Sequence, residues 1–508
     1  MPSFEEIHSR DVSGKTYAQQ SPGVLQEAQK SAEAVVAART GRRAEREGEP
    51  EIMELGRGRH QKPGTPGRTD RRDGEAGSEA GRDETLLACH KPEGLGREDL
   101  LERVLSRENM AAAWKRVEAN KGSAGVDGLS IEETAESLKT QWPKIREELS
   151  NGTYRPQAVR RVEIPKPGGG VRELGIPTVV DRLIQQALLQ VLQPLIDPTF
   201  SEFSYGFRPG RSAHDAVRQA QHYVQEGFQI VVDVDLEKFF DRVNHDILMD
   251  RLAKRIADKR ILRLIRRYLQ AGIMGHGVVE ERSEGTPQGG PLSPLLANVI
   301  LDEVDKELER RGHRFARYAD DCNIYVRSRR AGERVLQSLR RLYAKLHLKV
   351  NESKTAVGPV FGRKFLGYCF RRWSNNTVKI AVAPKALKTF KQRIREITRR
   401  SGGRSLTQVA EQLRLYLPGW KTYFHLAQTP KTFKDLDSWM RHRLRAVQLK
   451  HWRRGRTVYR EVRNLGAPHE VAVLAAGGGS RWWHHSQSLL NKVLTVSCFD
   501  RLGVPRLS

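Results

Sequence analysis

Residues 230–235, IVVDVD, leave little choice of structure. β-Branched residues dominate, so the run predicts a strand. Side chains alternate along a strand, which puts Asp233 and Asp235 on one face. A second stretch, RYADDCNIYV at 317–326, sets Asp320 and Asp321 side by side between two short apolar runs and predicts a β-hairpin. Asp is a favoured turn residue, so the hairpin alone leaves a plain turn and a metal site both open. Buried unpaired acids on a strand are costly, and a bound divalent cation would remove that cost. If the strand lies beside the hairpin, Asp235 meets Asp320 and Asp321. Three carboxylates suit Mg²⁺, which prefers oxygen ligands and keeps several waters. Two such ions about 4 Å apart would stabilise the attacking and leaving oxygens of phosphoryl transfer.

These acids sit in a basic chain. Its 508 residues carry a formal charge of +27 with 38% apolar content, too long for one ordinary domain and rich enough for sizeable cores. So much positive charge calls for a polyanion, nucleic acid before a membrane surface. No apolar run approaches the roughly 18 residues that span a bilayer. The opening MPSFEEIHSR has acids where a secretory signal would be apolar, so the expected setting is cytoplasmic. Four scattered cysteines, none in C-x-x-C spacing, predict neither a zinc knuckle nor a disulfide framework. His484 and His485, beside Trp482 and Trp483, read as the polar tip of an aromatic cluster, with a metal site the lesser alternative.

Composition changes along the chain. Residues 1–95 are rich in Gly, Arg, Glu and Ala, nearly lack aromatics, and read as disordered. From Glu98 apolar residues recur at helical spacing. The segment RRVEIPKPGGGVRELGIP predicts strands around a glycine loop, whose Lys166 and Arg172 would pair with triphosphate oxygens; an ordinary surface hairpin is the alternative. The backbone from Leu236 to Phe239 is expected to turn and aim amides at a phosphate. Asn244 suits a helix N-cap. The loop SEGTPQGGPLSP opens into an apolar helix, and beyond Pro384 the chain turns helical and basic.

The ordered series RRVEIPKPGGGVRELGIP, YGFRPGRSAHDAV, VVDVDLEKFFDRVNHD, GTPQGGPLSPLLANVILDEVD, RYADD, LKVNESKT and FLGY resembles the motif set of a reverse transcriptase. With NMAAAWKRVEANKGSAGVDG before it and PGWKTYFHL and WMRHRLRAVQLKHWRR after it, the chain is similar, over roughly 98–460, to bacterial group II intron-encoded reverse transcriptase/maturases. The resemblance implies an α+β right-hand polymerase. It divides into a helical extension at 96–160, fingers and palm at 161–383, an α-helical thumb at 384–455 and a small C-terminal segment at 456–508. It implies Asp235, Asp320 and Asp321 as catalytic ligands of two Mg²⁺ ions, with Asp233 supporting. Phe240 matches the gate beneath the deoxyribose, with Phe239 a core aromatic. Gln288 and Gly289 match the turn that meets the incoming nucleotide. Lys354 matches a lysine proposed to protonate pyrophosphate. Arg208 and Arg211 fit a template-contacting segment, and Lys385, Lys388 and Arg395 a basic thumb. The implied partners are intron RNA, a DNA primer or target, and deoxynucleoside triphosphates, without a membrane. Paired cysteines for a His-Asn-His endonuclease are absent, which is similar to the compact class that takes its primer from elsewhere. The segment AAGGGSRWWHHSQSLLNKVL reads either as a DNA-binding tail, its tryptophans stacking on bases, or as a small packed core. Two rival readings are a retron, diversity-generating or defence reverse transcriptase, and a splicing-only RNA-binding protein.

Overall fold

The computed structural model describes residues 99–165, 171–275, 278–280, 282–477 and 482–508. The expected disorder of 1–95, and Lys166, lie outside them. The first described elements are α1 (Leu100–Val104), α2 (Arg107–Ala119) and α3 (Ile131–Ser150), the last opened by a capping box between Ser130 and Glu133. The glycine-loop strands β1 (Val159–Pro165) and β2 (Val171–Ile176) pair antiparallel as expected, and α4 (Val179–Ile196) follows, buried along most of its length.

Next come α5 (Ala213–Gln225), β3 (Ile230–Val234) and α6 (His245–Ala253). Asn244 does cap α6, its Oδ1 accepting from the amides of Asp246 and Ile247, both at 3.0 Å. Then α7 (Lys259–Gln270), β4 (Ile273–Gly275) and β5 (Val278–Glu280) complete a four-stranded sheet ordered β2-β1-β4-β5. The apolar helix α8 (Ser293–Arg310) leads into the hairpin β6 (Arg314–Tyr318) and β7 (Asp321–Val326), then α9 (Arg329–Lys345) and β8 (Ala356–Pro359). A small sheet of β9 (Lys364–Phe365), β10 (Tyr368–Arg372) and β11 (Val378–Val382) precedes the helical region. That region runs α10 (Pro384–Ile397), α11 (Leu406–Tyr423), α12 (Pro430–Trp452), α13 (Gly455–Asn464), α14 (His469–Gly477), α15 (Trp482–Ser488) and α16 (Val496–Arg501). No helix among the described residues is long and apolar enough to cross a membrane.

The central sheet, ordered β6-β7-β3-β8 and antiparallel throughout, is covered on both faces. Val232, Val234, Phe315, Cys322 and Ile324 point into one core with α4, α6, α7, α8 and α9. Val231, Ala316 and Tyr325 point into a second core with α5, the small sheet and the helices from α10 on. The strict alternation of strand side chains is what divides them. The second core also takes in Leu490, Leu494, Phe499, Val504 and Leu507. The Asp437 carboxylate on α12 accepts from the amides of Leu507, at 3.0 Å, and Ser508, at 2.9 Å. Of the two readings of the C-terminal segment, a packed core is therefore the one observed. Its tryptophans already have stacked neighbours: the His442 ring lies 3.5 Å from Trp483, and the Arg400 guanidinium 3.6 Å over Trp482.

Candidate active site

β3 runs antiparallel to β7, with Val231 opposite Tyr325, Asp233 opposite Asn323, and Val234 opposite Cys322. Continuing that register sets Asp235, the residue after β3, across from Asp321. Directly opposed residues share a face. One face of the sheet thus changes along its length, from Val231 and Tyr325 in the second core to Asp233, Asn323, Asp235 and Asp321 at its end. The strand and hairpin acids do come together, on the face the alternation predicted.

Burial, then Asp233, Asp320 and Asp235, push the Asp321 carboxyl up to about 7, against the pull of Lys364. Burial likewise raises Asp233, opposed by Arg363 and Lys364; its nearest cation is Arg363, at 3.7 Å. Asp233 and Asp321 thus hold their protons more tightly than free carboxyls do, and a divalent cation would relieve that. The donors fit Mg²⁺. Among the described residues, however, no three His, Cys, Asp or Glu side chains stand close enough to hold an ion as they are. Like charges repel, and Asp235 is drawn to other partners instead. Lys354 Nζ lies 3.3 Å from its Oδ1, Asn351 Nδ2 lies 3.3 Å from the same oxygen, and its amide donates to Thr355 Oγ1 at 3.2 Å. Lys354 therefore faces Asp235 in this structure. Asn351 and Thr355, in the NESKT loop, are site residues the sequence reading passed over; their spacing around Lys354 was the available signal.

After β3 the chain turns through Lys238, at φ 48°, into a 3-10 turn at Phe239–Asp241. β3 thus ends one residue short of the IVVDVD run, and the turn expected from Leu236 to Phe239 follows it. Phe239 is buried at 3% exposure, while Phe240 is half-buried beside it, with ring centroids 5.1 Å apart. Phe239 is thus a core aromatic, and Phe240 is the one of the pair left partly accessible. The Phe240 carbonyl accepts from the Thr286 amide at 2.7 Å, and the Val243 carbonyl from the Gly285 amide at 2.8 Å, which ties Phe240 to the PQG turn. Within that turn the Gln288 carbonyl accepts from the Gly175 amide at 2.9 Å. Gly289 has φ 137°, and a Cβ there would lie 2.6 Å from the Gly175 carbonyl oxygen, so only glycine fits. Arg172 stands opposite Ile164 in the β1–β2 ladder.

Arg208 differs from expectation. It is 7% exposed, bonded to Asp197 at 3.0 Å and to the carbonyls of Ser201 and Ser204, so its charge serves the fold rather than an open template path. Arg211 donates to the Glu202 carbonyl and lies 5.8 Å over Tyr205. On α10, Lys385, Lys388 and Arg395 are exposed, opposite the buried Phe390, Ile394 and Ile397. Arg395, Lys391 and Arg443 gather around Trp439 at 5.7, 5.8 and 5.6 Å.

Comparison with known proteins agrees with this geometry. Residues 164–370 match the model of the reverse transcriptase (RNA-dependent DNA polymerase) family, and 387–466 the model of the group II intron maturase-specific domain. Protein YkfC of Escherichia coli K12 is 32% identical over 311 residues, 53% of this chain and 82% of that one. The group II intron-encoded protein LtrA of Lactococcus lactis subsp. cremoris is 38% identical over 196 residues, 38% of this chain and 32% of its own. A putative COX1/OXI3 intron 2 protein of Saccharomyces cerevisiae is 32% identical over 201 residues, 39% of this chain and 23% of its own. The match thus spans a third or less of these two intron proteins. With a carboxylate-bearing central sheet, both domains in chain order and a relative matched over most of its length, the chain belongs to the reverse transcriptases that carry a group II intron maturase domain.

Proposed function

We propose that the protein copies group II intron RNA into DNA in the cytoplasm, adding deoxynucleotides to a DNA 3′ end, and that it also binds the parent intron and assists its splicing. The observation that carries the catalytic half is Asp321 opposite Asp235 on one sheet face, its proton affinity raised by burial and by neighbouring acids. Asp235, Asp320 and Asp321 would hold two Mg²⁺ ions, which when bound supply the charge that activates the primer 3′ oxygen and stabilises the departing pyrophosphate. Phe240 lies beneath the sugar and excludes a 2′-hydroxyl. Gln288 meets the incoming nucleotide, and Gly289 lets that turn lie against β2. Lys354, paired with Asp235, would give the leaving pyrophosphate a proton. Arg172 and Lys166 would pair with triphosphate oxygens. The exposed Lys385, Lys388 and Arg395 on α10 hold nucleic-acid phosphates, with Arg211 nearer the template.

Primer extension on an RNA template tests the reading. Asp320→Ala should abolish DNA synthesis by at least about a thousandfold, since an electrostatic ligand to the reacting phosphate is lost. Its RNA affinity should match the parent's. Near-normal synthesis by the variant would remove Asp320 from the site, and a parent without synthesis would leave a binding protein that only assists splicing.

A further inference from the structure

The turn that presents Asp320 and Asp321 is held in an unfavourable shape. Ala319, its first residue, has φ 57°, in the left-handed region where a Cβ crowds the following carbonyl oxygen. Something must over-determine that conformation. Arg317, two residues earlier, has a side chain only 1% exposed and uses all of its donors. Nε donates to Asp305 Oδ1 and Oδ2 at 2.8 and 3.0 Å. One Nη1 hydrogen goes to Asn298 Oδ1 at 3.0 Å and the other to the Ala319 carbonyl at 2.9 Å. Nη2 reaches Ser204 Oγ at 2.7 Å and Asp305 again.

The same groups brace the backbone. The Arg317 amide donates to the Phe203 carbonyl at 2.9 Å, and its carbonyl accepts from the Tyr205 amide at 2.8 Å. Asn298 Nδ2 donates to the Gly206 carbonyl at 2.9 Å, and a Cβ on Gly206 would collide with the backbone of Tyr318 and Ala319. One guanidinium therefore joins α8, the 203–206 segment and the acidic turn.

Stability alone does not account for it. Desolvation offsets the attraction within a buried ion pair, and apolar residues of like volume serve a core as well or better. They cannot hold a backbone carbonyl. We propose that Arg317 is a positioning residue for nucleotidyl transfer. By fixing the Ala319 carbonyl it sets the direction in which Asp320 and Asp321 meet the metal ions. The proposal rests on the polymerase reading above and assigns Arg317 no contact with substrate.

Two variants test it. Arg317→Lys keeps the charge but replaces a planar fork with an ammonium point charge, which cannot span the same partners. Arg317→Met with Asp305→Leu removes both charges together and avoids an uncompensated buried acid. Mn²⁺ affinity, read by electron paramagnetic resonance, needs no turnover and is measured beside kcat, the deoxynucleotide KM and template–primer affinity. Arg317→Lys is expected to weaken Mn²⁺ binding and lower kcat, each by about tenfold, with KM and template–primer affinity within about twofold of the parent. The double variant should do the same while keeping its folded far-ultraviolet spectrum. Parental Mn²⁺ affinity and kcat in Arg317→Lys would overturn the proposal. So would a fall in template–primer affinity as large as the fall in kcat, which would mark Arg317 as a support of the whole fold. If the parent binds Mn²⁺ but extends no primer, the polymerase reading fails, and the Mn²⁺ comparison still decides whether Arg317 sets the turn.

Discussion

At the scale of single residues, the acids dictate a pH dependence. The Asp321 carboxyl, pushed up to about 7, holds its proton in the folded chain over a range where the unfolded chain has lost it. Without metal, its contribution to stability is therefore present at low pH and declines as pH rises from 3.8 toward 7. A bound cation competes with that proton and restores the loss. Mg²⁺ should raise the melting temperature more at about pH 8 than at about pH 5.5. Equal shifts at both pH values would count against Asp321 as a ligand. Phe240 supports a second expectation: Phe240→Val should admit ribonucleotides by about tenfold or more, since the barrier beneath the sugar is steric. Unchanged discrimination in a nucleotide-competition assay would make Phe240 only a partner for Phe239. The shared face of Asp233 and Asp235 was legible in the sequence because period-two alternation fixes which residues share a strand face, whereas Phe240, in the turn beyond the strand, was marked only by the resemblance. Arg317 and Arg208 were not legible. An arginine beside apolar residues reads as solvated charge until the fold brings up Asp305 or Asp197, which are 12 and 11 residues away.

At the scale of elements, sequence reading succeeded where the signal was local. Asn244 caps α6 through its own side chain, and β1 and β2, close in sequence, pair with each other. It fell short where an element depends on distant packing. Nothing in the sequence around Trp482 and Trp483 says that the chain beyond them returns to α12. Phe499 on α16 is fully buried in the second core, with the Arg445 guanidinium 5.7 Å over its ring. Phe499→Ala should cost about 3–5 kcal/mol by leaving a cavity there. It should lower the thermal transition and weaken intron RNA binding together, through the helices that bear the basic residues. A DNA-binding tail independent of the fold would instead lose DNA affinity at parental stability, which differential scanning calorimetry beside a DNA-binding assay would reveal.

At the scale of the whole molecule, a charge of +27 guarantees affinity for any polyanion, so affinity alone says little. Selectivity for a folded intron has to come from shape, since paired RNA displays little readable sequence. The intact protein should prefer its cognate intron over a scrambled RNA of equal length in competition at physiological salt. Replacing Lys385, Lys388 and Arg395 with Ala should weaken both and reduce the salt slope by up to about one for each phosphate left without its cation. A parent without preference would leave a general reverse transcriptase. The two cores that meet at β3 and β7 bear on how such a molecule moves. Because alternate side chains of the same two strands belong to different cores, neither core can come apart while the other keeps its wall. The amides of β3 and β7 should therefore be among the slowest of the described residues to exchange with solvent. The carboxylates inherit that stillness. Substrate entry and strand translocation should then be absorbed by segments outside the central sheet, leaving the carboxylates on a floor that holds still.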